Sequence, residues 1–218
     1  MSESRVLELL ESFKRGDIGW LELDTSFTPY QDLMELEKIK KYYVEHREGE
    51  DHKGWESCCI HGLGSNMTRI CYDYGYNDEI NAPYYWTEVS KDAPKATKFW
   101  KDFPAEKFAR VRFMKLKPQG HVGMHNDTPK EYPNNLLDFL LPINVSITNP
   151  QGCKMEIEGH GTVPWKPGKV FLVNILQNHR VTNNSNEDRV HMIAQIHPGN
   201  MKREFIDLIE RSMDKHDL

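Results

Sequence analysis

Apolar residues at helical spacing dominate the first part of the chain. From Val6 to Phe13 they recur every three or four residues, which predicts an amphipathic helix over residues 1–15. The stretch DLMELEKIKKYYVEH, residues 32–46, repeats this pattern, and a further helix is predicted at about residues 94–102. We expect these helices to pack outside a sheet.

After about residue 105 the pattern changes to short strand-like runs. These runs are ARVRFMKLKP, LLDFLLPINVSI, CKMEIEG, GKVFLVNI and RVHMIAQI, and the turn signals PQG, TNPQG, WKPG and TNNSNED separate them. Short strands with turns between them are typical of a sandwich, jelly roll or barrel. The segment KREFIDLIERSMDK, from Lys202, then predicts a closing amphipathic helix.

No linker rich in proline or glycine divides the 218 residues, so we predict one domain over residues 1–218. Residues 1–105 form its helical and aromatic-loop part, residues 106–200 its β core and residues 201–218 its C-terminal helix. The whole is expected to be mainly β with flanking helices. A charged loop is predicted at residues 47–53.

Composition and charge narrow the function classes. A formal net charge of −5 lacks the basic footprint of a nucleic-acid-binding protein, so a small-molecule or peptide substrate is expected. The charged N-terminal stretch lacks a signal-peptide core and no apolar run approaches membrane-spanning length, which predicts a cytoplasmic protein without membrane contact. The four cysteines include the adjacent pair Cys58 and Cys59, and we expect all to be reduced.

The motif HVGMHND, residues 121–127, suggests a metal site. On a strand, His125 and Asp127 point to the same side and can share one ion. His179, at the end of a later strand, supplies a third ligand. Two imidazoles and one carboxylate on one face of a metal leave the opposite positions open, as in non-haem Fe(II) oxygenases. A His-x-Asp pair by itself also occurs by chance.

Arg189 strengthens the oxygenase interpretation. If the polar segment around Asn184 forms a hairpin loop, His179 lies directly across from Arg189, with Cβ atoms about 4.5–5.5 Å apart. A partly buried guanidinium there suits the distal carboxylate of 2-oxoglutarate, which it would bind through two parallel hydrogen bonds. The alternative is a surface ion pair with Glu187 or Asp188.

The span from about residue 109 to residue 200 resembles the aspartyl/asparaginyl β-hydroxylase-like branch of the 2-oxoglutarate- and Fe(II)-dependent dioxygenases. The matching phrases are ARVRFMKLKPQGHVGMHND, INVSITNPQGCKMEI, WKPGKVFLVNILQNHRVTNNSNEDRV and IHPGN. They cover somewhat under half of the chain, and the ordered set is far more specific than any single phrase.

The resemblance implies a double-stranded β-helix, which is a cupin-like jelly roll. It also implies iron binding by His125, Asp127 and His179, and binding of the distal carboxylate of 2-oxoglutarate by Arg189. Asn144 falls where a family member has a histidine that contacts the other end of the cosubstrate. The animal enzyme that gives the family its name has glycine where this chain has Asp127. The chain therefore looks more like the bacterial hydroxylases of free amino acids, such as the proline cis-hydroxylases.

Further polar residues admit two interpretations each. His121 is either a neighbour or competitor of the metal ligands or an ordinary hydrogen-bonded histidine, and His191 either lines the pocket or is a satisfied core histidine. Arg110 and Arg112 bind a substrate carboxylate or form a solvated strand edge. The tyrosine-rich residues 72–86 form a lid over the substrate or ordinary packing.

The sequence thus predicts a 2-oxoglutarate- and Fe(II)-dependent dioxygenase that consumes O₂, with ascorbate as a supporting reductant. It would hydroxylate an unactivated C–H bond of an amino acid or related small metabolite and convert 2-oxoglutarate to succinate. One alternative is a hydroxylase of Asp, Asn or Pro residues in a peptide or protein. The alternative from another class is a non-catalytic sensor of metal or 2-oxoglutarate, against which the complete ligand set argues.

Overall fold

The structure is a computed structural model. It describes residues 2–31, 33–47, 49–127, 140–197 and 203–216. Helices and strands follow the change of pattern seen in the sequence, although strands also occur in the first half.

The helices and strands of the described residues have the following bounds. The helices are α1 (Ser2–Arg15), α2 (Met34–Ile39), α3 (Val89–Asp92), α4 (Pro94–Asp102) and α5 (Arg203–Lys215), with 3₁₀ turns at Lys40–Tyr42 and Cys71–Tyr74. The strands are β1 (Trp20–Ser26), β2 (Val44–Glu45), β3 (His52–Gly62), β4 (Tyr85–Trp86), β5 (Lys107–His125), β6 (Leu141–Ser146), β7 (Cys153–Ile157), β8 (Gly161–Thr162), β9 (Lys169–Val173), β10 (His179–Asn183) and β11 (Arg189–His197).

The long strand β5 joins the two sides of the sheet. Its first part pairs with β11 from Lys107 to Leu116, and its last part pairs with β10 from His121 to His125. The larger side therefore runs β1-β9-β6-β11-β5, and the smaller side runs β5-β10-β7-β8, all antiparallel. Strand β3 covers the other edge of β5.

A distortion within β5 allows the chain to pass from one side to the other. Pairing with β3 is irregular between residues 116 and 121, and Gln119 has a φ of 58°. Gly120 follows, and a Cβ at this position would lie only 2.7 Å from the Lys53 carbonyl oxygen and 2.8 Å from that of Lys117. The backbone segments therefore approach here more closely than a side chain would allow.

The two sides face each other across an apolar cluster. Met155 and Ile157 of β7 pack with Phe171 and Val173 of β9, and Trp165 lies in the same cluster. Strands from opposite sides thus share one interior, which is the arrangement of a jelly roll, the double-stranded β-helix predicted from the sequence.

A second, larger core lies on the outer face of the larger side. Alternate residues of β11, such as Met192 and Ala194, join Val111 and Phe113 of β5 in this core, together with apolar residues of α1, α4 and α5. Helix α5 is held to β1 by the Asp24 amide, which donates to Ser212 Oγ at 2.8 Å. The helices therefore pack outside the sheet, as predicted. The remaining faces of β5 and β11 point into the interior.

Several local predictions need correction. The helix expected over residues 32–46 is confined to α2 and the 3₁₀ turn that follows it, and its last residues belong to β2. Strands β1 and β3 lie in the part expected to be helical and looped, and β3 takes up the end of the predicted charged loop. The separator PQG lies within β5 rather than between two strands. Residues 136–139 of a predicted strand and Lys202 lie outside the described residues.

The four cysteines are free and buried. Among the described residues, no helix is long and apolar enough to cross a membrane.

Candidate active site

Two histidines from neighbouring strands form the centre of the site. His125 ends β5 and His179 begins β10, and the two are direct partners in the sheet register with ring centroids 4.3 Å apart. The Nδ1 atom of His125 is 2.9 Å from the Gly123 carbonyl oxygen, and that of His179 is 2.9 Å from the Gln177 carbonyl oxygen. Because a carbonyl only accepts, both Nδ1 atoms donate, and both Nε2 atoms keep a lone pair for a ligand.

Asp127 completes the cluster just beyond the end of β5. Its amide donates to the Ile175 carbonyl oxygen at 2.9 Å, which holds the chain beside β10. One carboxylate oxygen lies 4.0 Å from His125 Nε2, and one ligand atom from each of the three residues falls within 4.8 Å of the others. Burial lowers the pKa of His179, which favours the neutral, metal-binding imidazole.

The donor set fits a divalent iron. Two imidazole nitrogens and one carboxylate, within 4.8 Å of one another, are the ligand types of the facial arrangement predicted from the sequence. The backbone carbonyls that fix both imidazoles are the usual means of orienting metal-binding histidines.

The structure corrects the sequence argument about this strand. Asp127 follows the strand rather than lying on it. The pairing of β5 with β10 is irregular between Val122 and His125, so that His121 does not share the face of His125. His121 Nε2 instead lies 3.2 Å from the Glu50 carbonyl oxygen and does not join the cluster, which supports the ordinary hydrogen-bonded interpretation.

Arg189 is a buried cation at the start of β11. Its exposure is 6%, and its Nη2 donates to Nδ1 of His191 at 3.3 Å. The guanidinium carbon lies 6.0 Å from the centroid of the Trp165 ring. Burial lowers the pKa of Arg189 to about 10, so the group remains charged at neutral pH.

Arg189 lacks an acidic partner within the described residues. No carboxylate there forms an ion pair with it, and the buried Nε atom has no hydrogen-bond partner. The predicted alternative, a surface ion pair with Glu187 or Asp188, is wrong. Because a buried charge is costly without a partner, a dicarboxylate cosubstrate fits this position.

The hairpin predicted between His179 and Arg189 is also wrong. Arg189 pairs with Leu116 of β5, whereas His179 pairs with His125 of the same strand and with Ile157 of β7. Strands β10 and β11 pair with successive parts of the same edge of β5, opposite β3. Arg189 is therefore next to the distortion of β5, and its guanidinium is buried beside Trp165.

Asn144 and His191 lie on the inner face of the larger side. Asn144 is buried, and its Nδ2 donates to the Pro142 carbonyl oxygen at 3.4 Å. His191 stacks edge-on against Trp165 with centroids 4.5 Å apart, and burial followed by the charge of Arg189 holds its pKa well below the usual range. His191 is thus neutral and lines the cation site rather than the outer core.

Arg110 and Arg112 are not a solvated strand edge. Both are buried on the inner face of β5, with exposures of 6% and 7%, and both donate to the carbonyl of Thr68. Sequence reasoning left both options open and named neither Thr68 nor the indole of Trp165. Trp165 lies in a segment that was interpreted only as a turn, so no periodic signal pointed to it.

The aromatic segment at residues 72–86 is ordered and touches this region. It includes the 3₁₀ turn and β4, and it leaves Tyr72, Tyr76 and Tyr85 exposed. Glu79 of the segment accepts a hydrogen bond from Arg110 at 3.1 Å. The predicted role of this segment as a lid remains a prediction.

Residues 23–198 match the family model described as aspartyl/asparaginyl beta-hydroxylase. The chain belongs to this family. As a member of the aspartyl/asparaginyl β-hydroxylase family it is a hydroxylase that uses Fe(II), 2-oxoglutarate and O₂. The matched span contains the histidine and aspartate cluster together with Arg189. No curated protein sequence matched the chain.

Two solved structures share the fold of this family member. An oxidoreductase of the 2OG-Fe(II) oxygenase family from Burkholderia pseudomallei aligns with a TM-score of 0.51 and 12% identity, covering 87% of this chain and 89% of that chain. A prolyl hydroxylase from Trichoplax adhaerens, in complex with a hypoxia inducible factor oxygen degradation domain peptide fragment, aligns with a TM-score of 0.50 and 8% identity, covering 89% and 94%. At these identities the likeness shows the jelly-roll fold.

Proposed function

We propose that the protein hydroxylates a free amino acid or a related small metabolite, with Fe(II) held by His125, Asp127 and His179 and 2-oxoglutarate anchored by Arg189. The observation that carries the site assignment is the convergence of three ligand atoms within 4.8 Å while both histidine Nδ1 atoms are occupied by carbonyls. The retained Asp127 supports the likeness to the bacterial hydroxylases of free amino acids.

Each residue would have a separate task. The two histidines and the aspartate hold the metal from one side, and the neutral state of His191 leaves the dicarboxylate to Arg189 alone as its counter-charge. Asn144, with its amide on the inner face, would donate to the end of the cosubstrate nearest the metal.

The bound cofactors supply the chemistry: one atom of O₂ enters a C–H bond of the substrate, and the other enters 2-oxoglutarate, which leaves as succinate and CO₂. The apolar cluster around Trp165 and Phe171 lies beside Arg189, and a surrounding of low dielectric constant would strengthen charge pairing there.

A small substrate is supported by the polar interior. On the inner face of β5 the structure places the buried Arg110 and Arg112 together with the hydrogen-bonding carbonyl of Thr68. Enclosed sites with a few placed polar groups are typical of small ligands.

The test is a turnover screen. The purified protein, with Fe(II), ascorbate and 2-oxoglutarate, is given each common free amino acid and, in parallel, short peptides that contain Asp, Asn or Pro. We expect a free amino acid to stimulate succinate release and to gain one oxygen atom by mass spectrometry. Stimulation by a peptide alone would contradict the small-substrate proposal, and succinate formation by His179→Ala would contradict the metal assignment.

A further inference from the structure

Two arginines of β5 share one acceptor on the inner face of the sheet. Nη1 of Arg112 donates to the Thr68 carbonyl oxygen at 3.0 Å, and Nη1 of Arg110 donates to the same oxygen at 3.3 Å. A single neutral carbonyl does not balance two buried positive charges.

Only one of the two arginines has a carboxylate partner. Glu79 lies 3.1 Å from Nη2 of Arg110, and both side chains are largely enclosed. Within the described residues, Arg112 has neither an acidic group within ion-pair distance nor a hydrogen bond beyond Thr68, and its buried Nε has no partner. Arg112 is thus a second cation, besides Arg189, that an anion from outside the chain would complete.

The neighbours of Arg112 are arranged for a polar ligand. Cys59 is its register partner on β3, and Ser57 lies one step further along the same face. Ser57 Oγ is 2.7 Å from Nδ1 of His46. Burial, followed by the charges of the two arginines, lowers the pKa of His46 to about 2, so this imidazole is neutral and adds no positive charge.

The position of Arg112 separates it from the cosubstrate anchor. Arg189 pairs with Leu116, and Arg112 lies four residues back along β5, which is about 13 Å of strand. Burial, ahead of the charge of Arg110, lowers the pKa of Arg112, and the Asp127 carboxylate opposes this lowering.

We propose that Arg112 binds the carboxylate of the substrate, with Arg110 held in place by Glu79 beside it. The inference rests on the proposed function, because it assigns one end of the amino acid that would be hydroxylated. A carboxylate is the chemistry that a planar guanidinium with free donors recognises best. The substrate would then lie between Arg112 and the metal, and 2-oxoglutarate between the metal and Arg189.

The test measures binding without turnover. The protein is loaded with Mn(II) and 2-oxoglutarate, and its Tm is recorded with each common free amino acid. For amino acids that raise the Tm, Kd is measured by calorimetry for the acid and for the corresponding amine that lacks the α-carboxylate. We expect Arg112→Met to weaken binding of the acid by about tenfold or more while the amine binds as before.

Control variants separate this role from others. Arg180→Met removes an exposed arginine of β10 that pairs with Glu156 at 2.7 Å, and it should change neither Kd. The Kd of 2-oxoglutarate should rise in Arg189→Met and stay unchanged in Arg112→Met. If Arg112→Met does not fold, Arg112→Gln, which keeps a donor for the Thr68 carbonyl, is measured with the same expectation.

Three results would overturn the proposal: an unchanged preference for acid over amine in the variant, a loss of 2-oxoglutarate affinity equal to that of Arg189→Met, or no rise in the Tm of the wild-type protein with any amino acid. Failure of the proposed function is read separately, as the absence of succinate formation in the turnover screen.

Discussion

At the scale of single residues, the tautomers of two imidazoles determine what the candidate site can bind. Both His125 and His179 donate through Nδ1 to a carbonyl two residues earlier in the chain. The same local geometry, repeated on two strands, points both lone pairs into one cluster. A histidine without such a donor contact would rotate, and ordering it would cost part of the metal affinity.

We expect His179→Ala to lose metal binding, because two remaining ligands hold a divalent ion poorly. Asp127→Gly should keep weak binding but lose hydroxylation. Calorimetry with Mn(II) and succinate release measure the two effects. His121→Ala is the matched control, because its imidazole contacts the Glu50 carbonyl and lies outside the cluster. Loss of metal in this control would show that the cluster is wrongly assigned.

Replacing Arg189 with Met retains apolar bulk beside Trp165 but removes the charged donor. Loss of a charged hydrogen-bonding partner costs about 1.5–3 kcal/mol, so the KM for 2-oxoglutarate should rise by about tenfold or more. Metal affinity should not change. Steady-state kinetics with varied 2-oxoglutarate check this, with Arg180→Met as the control. An unchanged KM would assign the cosubstrate to another cation.

At the scale of elements, the sequence predicted a strand well where one face of that strand packs in a hydrophobic core. Alternating apolar and polar residues in β7 and β11 signalled their strands directly. Strand β3 was missed because six successive residues at its end, Cys58 among them, have both faces buried and show little alternation. The cluster of His125, Asp127 and His179 was predictable because it consists of a compact motif plus one histidine.

The partner of each strand was not predictable from local pattern. The hairpin inference assumed that β10 and β11, being consecutive, pair with each other, whereas each pairs with a different part of β5. Such pairing depends on contacts between residues far apart in the sequence. The sequence also did not show whether Arg112 is buried or exposed, because strand alternation does not show which face meets solvent.

The distortion of β5 should be sensitive to a single methyl group. Gly120→Ala places a Cβ 2.7 Å from one backbone oxygen and 2.8 Å from another, so the strand must shift. We expect it to reduce the free energy of unfolding by more than Gly159→Ala, which meets no atom within 4 Å and carries only the strain of a φ of 77°. Urea denaturation of the two variants tests this. Equal losses would show that the approach at Gly120 is readily relieved.

At the scale of the whole molecule, buried neutral histidines make stability depend on pH. Burial lowers the pKa of His61 from 6.5 to about 4, opposed by a hydrogen bond with the Ala109 backbone. His61 packs against Trp86 and Phe108, with centroid distances of 4.9 and 6.1 Å. Because His61 is buried in this packing, its uncharged state depends on the contacts beneath the aromatic segment.

As the pH falls, His61 is therefore protonated in the unfolded chain at a higher pH than in the folded protein. Stability is full above about pH 6.5 and falls by about 1.4 kcal/mol per pH unit between 6.5 and 4 from His61 alone. His46 acts in the same direction. His61→Phe should flatten this dependence, which denaturation curves at several pH values would show. If the stability of the variant fell with pH as steeply as that of the wild-type protein, a group other than His61 would be responsible for the titration.

The pairing of β1 with β9 has a consequence for how the chain reaches this fold. Trp20 pairs with Val173, and His61 pairs with Val111. Strands β1 and β3 are therefore synthesised well before the strands with which they pair. Non-local pairing of this kind slows folding, because the loop entropy is lost before the contacts form. On the ribosome, β1 and β3 would emerge with open edges, and the metal cluster would form only after β10 had joined β5. Assembly of the candidate metal site therefore depends on a late pairing of distant strands.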